Sequence, residues 1–127
     1  MKRVVVDSAI VLGWFTGAQG PTRSLRTEYE QGTLVLVGPR SLTSEILEAT
    51  ARSTGWPPDR LATVAAELER IGLELRDPPA SELAAWLSRG LNGSAAAYAA
   101  LASSLELPLV TLDDELLRTA AAVAQRP

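Results

Sequence analysis

Three acidic side chains stand at or just beyond the ends of short apolar segments. Asp7 follows the run VVV, Asp113 stands two residues beyond LPLVT, and Glu45 lies in SLTSEILEATAR, downstream of TLVLVGP. The chain contains no histidine and no cysteine. A Ser-His-Asp triad, a Cys-His pair and a zinc bound by imidazole or thiolate are thereby excluded. Catalysis would have to use carboxylates, hydroxyls, arginine, Lys2 or a metal held by oxygen ligands. Convergent carboxylates without His or Cys favour a hard cation such as Mg²⁺ or Mn²⁺. A cation of that kind suits phosphodiester hydrolysis, because it activates water and neutralises developing charge.

Each acid also has simpler work to do. An Asp after a strand is a helix N-cap, and Asp113-Asp114-Glu115 is an acid-rich helix start that the dipole rewards. Glu45 and Glu48 read equally well as solvated positions beside an apolar stripe. What points to a site is their coincidence on one edge of the fold, and that edge follows from the elements. RVVV (3–6), TLVLVGP (33–39), LELRD (73–77) and LPLVT (107–111) read as short strands. Between them lie helical segments: SAIVLGWF, with Asp7 or Ser8 as its cap; TRSLRTEYEQ, ended by Gly32; SLTSEILEATARSTG; PPDRLATVAAELERIG; ASELAAWLSRG; and an Ala-rich segment starting at Ser94. DDELLRTAAAVA reads as a closing helix. Apolar strands alternating with helices predict a three-layer α/β domain over 1–127. Its central sheet is mostly parallel, with four to five strands and helices on both faces. Ligands of open parallel sheets bind beyond the carboxyl ends of the strands, which is where these acids fall. If the first and last of these strands are neighbours, Asp7 and Asp113 repel unless a proton or cation intervenes.

Composition sets the outer limits. The 127 residues are 46% hydrophobic, enough for a real core, and no run reaches the ~18 apolar residues of a membrane span. MKRVVVD makes a poor secretory signal, and without cysteine no disulfide framework exists, so we expect a cytoplasmic protein. The sequon Asn92-Gly93-Ser94 then reads as a turn. With 12 basic and 15 acidic residues, the net charge of −3 argues against a broad nucleic-acid footprint but leaves room for a local one. Arg23, Arg26 and Arg40, beside loops at the strand ends, are candidates for RNA phosphate contacts.

The order of these motifs resembles a PIN domain, especially the VapC-type toxins of toxin–antitoxin pairs. The opening, a hydrophobic strand then Asp7-Ser8-Ala9-Ile10-Val11-Leu12-Gly13-Trp14-Phe15, is similar to theirs. SLTSEILEATAR resembles their second motif, with Glu45 as the match. AAAYAALASSLELPLVTLDDELLRTA resembles their C-terminal block, with Thr111-Leu112-Asp113 matching Thr-x-Asp. The resemblance covers essentially the whole chain. It implies a Mg²⁺- or Mn²⁺-dependent endoribonuclease, with Asp7 and Asp113 as metal ligands, Glu45 positioning a ligand, the metal or its water, and Thr111 as a supporting hydroxyl. Asp114 would assist through water or serve only the helix start. The family's third acid falls at Ala95, counted back from Tyr98, so one metal-ligand position holds a methyl group. Ser94 is adjacent but points elsewhere on the helix and cannot supply a full charge. Weakened or lost activity is implied, either by natural degeneration or by a substitution that silences a toxic nuclease.

The resemblance also implies a cognate antitoxin whose C-terminal segment covers the groove, a homodimer, and contact with DNA only through the antitoxin. A PIN-fold binding protein that pairs with an antitoxin without cutting RNA is therefore the rival reading. Trp56 and the amphipathic segment 58–71 are candidates for such an interface, though the segment's spacing suits a core helix better. A phosphorelay receiver would need an acidic pair after the first strand and a lysine after the last, and neither is present. DSAIVLG is no Gly-rich dinucleotide turn.

Overall fold

The computed structural model describes residues 1–16, 20, 22–54 and 57–127. Its centre is a five-stranded sheet of order β3-β2-β1-β4-β5, built from β1 (Lys2–Val6), β2 (Leu34–Gly38), β3 (Glu74–Leu75), β4 (Leu109–Val110) and β5 (Ala124–Gln125). All four strand pairings are parallel, which is stricter than the mostly parallel sheet expected. Successive side chains of a strand point to opposite faces, yet Val4, Val5 and Val6 are all fully buried. Both faces of the sheet are therefore covered, as a three-layer α/β fold requires.

Among the described residues seven helices supply the layers: α1 (Ser8–Thr16), α2 (Arg23–Glu30), α3 (Leu42–Thr54), α4 (Pro58–Ile71), α5 (Ala80–Ser88), α6 (Gly93–Leu105) and α7 (Asp114–Thr119). The chain steps from β1 outward to β2 and β3, then crosses back over the sheet through α5 and α6 to β4 on the far side of β1. Right-handed crossovers in opposite directions place helices on opposite faces. The reversal of strand order between β1 and β4 opens a crevice at their carboxyl ends. Val5 pairs with Leu109 and Val6 with Val110, so the segments carrying Asp7 and Asp113 leave the sheet side by side.

The helices match the sequence reading with local shifts. In α4, Val64 and Leu68 are buried and Leu61 and Ile71 half-buried, so its apolar stripe serves the core; Gly72, left-handed at φ 68°, ends it. Two expectations are corrected. The closing helix stops at Thr119 and the chain returns as β5, because Leu109 and Thr111 donate their N–H groups to Val123 and Gln125. The Ala-rich helix starts at Gly93 with Asn92 as its cap, and Ser94 lies inside the first turn. Trp56 and Gly55 lie outside the described residues. No helix among those described is long and apolar enough to cross a membrane.

Candidate functional site

Asp7 is the first residue after β1 and the N-cap of α1. Its Oδ1 accepts the Ile10 N–H at 3.2 Å, and its Oδ2 accepts a short hydrogen bond from the Thr111 hydroxyl. A side chain only 6% exposed is thus pinned from two elements. Burial pushes its carboxyl above the ordinary value, the Thr111 and Ile10 hydrogen bonds pull it back, and the charge of Asp113 raises it further. Thr111 is fully buried at the end of β4, and its hydroxyl also accepts the Asp113 N–H at 3.0 Å. One hydroxyl therefore ties the two strand-end acids together. Asp113 is exposed and caps α7, its Oδ1 accepting the N–H groups of Glu115 (2.8 Å) and Leu116 (3.3 Å). The N-cap reading of Asp7 is correct, and Asp113, read as a helix-start acid, caps α7 in the same way; neither role competes with a site, since capping leaves both carboxyl groups at the strand ends.

Glu45 lies in the first turn of α3, half-buried. Its Oε1 accepts the Tyr98 phenol at 3.0 Å and its Oε2 the Ser41 hydroxyl at 2.8 Å. Burial pushes the Tyr98 phenol up, and the Glu45 charge adds to the shift, so the phenol stays protonated and donates. Ala95 is the third residue of α6, buried, its N–H donated to Asn92 Oδ1 at 3.0 Å.

A cleft of about 360 Å³ joins these residues. Asp7, Glu45 and Asp113 line it together with Ala95, Tyr98 and Ser94, and neither arginine nor lysine is among the lining residues. Position 95 thus faces the same space as the three acids, where the sequence reading set the missing carboxylate. Ser94 faces it as well, which corrects the expectation that it points elsewhere; at the second position of the helix it is still next to the opening. Tyr98 and Ser41 escaped the sequence reading as site residues. The available signal was spacing: Tyr98 is three residues from Ala95 on one face of α6, and Ser41 stands four residues before Glu45, just ahead of α3.

The remaining sequence candidates lie elsewhere. Asp114 is exposed and pairs with Arg126 at 3.3 Å, outside the cleft lining. None of the three candidate arginines lines the cleft. Arg26 donates to the Trp14 carbonyl at 2.9 Å and to Glu30 at 3.1 Å, in a separate groove with Met1 and Leu34, where strands begin. Arg23 shares a further pocket with Arg26, Thr27 and Glu30. Arg40, at the end of β2, pairs with Asp77 at 3.4 Å. Helix direction explains the first two, because α1 carries the chain from the carboxyl edge to the opposite edge before α2 begins.

The cleft offers oxygen donors only, which in kind fit a hard divalent cation. In number they fall short: among the described residues no three acids come together as a metal-holding group. The methyl group at position 95 stands where a further carboxylate would face the cleft.

No protein-family model matches the chain, and no curated protein sequence matches it. Among solved structures it is similar to the crystal structure of PAE2754 from Pyrobaculum aerophilum, with a TM-score of 0.66 and 23% identity over 94% of this chain and 84% of that one. The chain has the three-layer α/β fold, with an acidic crevice at the point where strand order reverses.

Proposed function

We propose that the cleft is the site of a Mg²⁺- or Mn²⁺-dependent endoribonuclease of the PIN type, weakened in this chain by the alanine at position 95. The observation that carries the reading is three carboxylates lining one crevice with no basic side chain among its lining residues. The charge of Asp113 raises the Asp7 carboxyl, so these two acids repel, and a bound cation would relieve that repulsion. Asp7 and Asp113, with a carboxylate at 95 when one is supplied, would hold the ion. A cation so held supplies charge neutralisation at a phosphodiester and acidifies water. The protein's own groups do the rest: Thr111 and the Ile10 N–H orient Asp7, and Glu45 stands ready to accept a proton or hydrogen bond. A cognate antitoxin and a homodimer belong to this reading through the same resemblance, and a cytoplasmic location through the poor secretory signal and the absence of cysteine.

The test compares this chain with Ala95→Asp on structured and single-stranded RNA, in Mn²⁺ or Mg²⁺, with and without EDTA. Cleavage by the Asp form that EDTA abolishes, at least about 100-fold above the alanine form, is expected; a gain of that size is about 2.7 kcal/mol of transition-state stabilisation. Strong cleavage by the alanine form would mean that the missing ligand is not at 95. The second reading, a binding protein that keeps the fold and no longer cuts RNA, is favoured by the same alanine. It prevails if neither form cleaves RNA or binds Mn²⁺ while both remain folded.

A further inference from the structure

Three carboxylates line the cleft and no lysine or arginine does, so an RNA backbone finds no counter-charge in the lining itself. A phosphate must then be held from just outside it. Several described arginines are already matched to a carboxylate, Arg26 to Glu30, Arg40 to Asp77 and Arg126 to Asp114 among them. Arg89 differs. It is exposed, follows α5 directly, and pairs with no acid among the described residues. Its guanidinium lies instead over the ring of Trp86, 4.3 Å from the ring centroid, and Trp86 is buried in the core. A planar cation on an aromatic face keeps the N–H donors at its edge free, in the fork that matches two phosphate oxygens. The connection to α6 fixes where this group stands. Arg89 and Gly90 donate their N–H groups to the Trp86 and Leu87 carbonyls at 3.1 and 3.0 Å, Gly90 is left-handed at φ 97°, and Leu91 is buried. Asn92 follows, capping α6 and lining the cleft. Three residues of chain span at most about 11 Å, so the Arg89 backbone stays within that distance of the cleft wall. The first turn of α6 carries no acid to compete for the guanidinium.

We propose that Arg89, stacked on Trp86, is an RNA-binding residue that holds a backbone phosphate beside the cleft. The proposal rests on the ribonuclease reading above for its ligand, and the contact itself needs no metal. The buried ring sets the plane of the guanidinium before RNA arrives, so less side-chain freedom is lost on binding.

The experiment measures binding of a fluorescein-labelled single-stranded oligouridylate to the full chain, by anisotropy in EDTA, over a series of salt concentrations. Arg89→Gln is expected to weaken binding about tenfold at low salt and to lower the slope of log K against log salt by about 0.7, the value for one phosphate contact on a single strand. Arg89→Lys keeps the charge without the plane, and is expected to retain the slope and lose about threefold in affinity. Arg118→Gln removes another exposed arginine, in the last turn of α7, and is expected to bind as the parent does. Equal losses from Arg89→Gln and Arg118→Gln would show a response to net charge and overturn the proposal, as would a parent-like slope in Arg89→Gln. A lysine form as tight as the parent would overturn the part given to the ring. A parent chain that binds no RNA would overturn the phosphate contact, whereas the nuclease reading is decided separately by cleavage with Ala95→Asp.

Discussion

Asp7 shows at the residue scale what an acidic site costs a fold. Burial raises its carboxyl above the ordinary value of 3.8, so the folded state binds the proton more tightly than the unfolded chain does. Stability from this residue is therefore greatest below the unfolded value and is lost as the pH rises through the folded one. Asp7→Asn keeps the shape and the N-cap while removing the charge. Near pH 7 it should stabilise the protein by about 1 kcal/mol, and the gain should shrink as the pH falls toward 3.8. Urea unfolding of both forms near neutral pH and in mild acid checks this; a gain independent of pH would mean that charge burial is not the cause. The opposite is expected of a carboxylate at position 95. Ala95→Asp places a fourth acid in the crevice, so without metal it should lower the melting temperature, and Mn²⁺ should restore it.

At the scale of elements, the site depends on how closely α3 follows β2. Gly38 is the last residue of β2, and a Cβ there would run into the Leu42 side chain, which is fully buried at the first position of α3. That close approach fixes where the first turn of α3 sits, and Glu45 is in that turn. Gly38→Ala should therefore cost about 1–3 kcal/mol by overpacking. Chemical denaturation reads the effect; an unchanged unfolding midpoint would show that Leu42 yields without cost. Helices α1 and α7 need no such device, because their starts are the strand-end acids themselves.

For the whole molecule, the last residues matter more than their position at the chain end suggests. Strand β5 accepts the Leu109 N–H at Val123 and the Thr111 N–H at Gln125, at 2.8 and 3.0 Å. Thr111 is the hydroxyl that joins Asp7 to Asp113, so an edge strand outside the cleft lining helps hold the residue beneath it. Ending the chain at Ala120 should expose the β4 edge and lower the melting temperature by about 5 °C or more, as read by circular dichroism. No change on truncation would mean that β5 adds nothing to the sheet's stability.

Much of this was legible in the order of residues. Apolar strands, the capping of α1 by Asp7 and the placing of Asp7, Glu45 and Asp113 at one edge follow from period and turn chemistry, which are local properties of the chain. The absence of His and Cys confined any chemistry to oxygen groups. Local patterns could not reveal β5, because AQ carries no strand signal and becomes a strand only by meeting the free edge of β4. Nor could they place Arg23 and Arg26 at the opposite edge of the sheet. The Tyr98–Glu45 hydrogen bond joins residues 53 apart in sequence, and only the packing of α6 brings them together. The residue types and their register along each element are thus written in the sequence; which side chains finally touch is decided in tertiary structure, because such contacts depend on how distant elements cross.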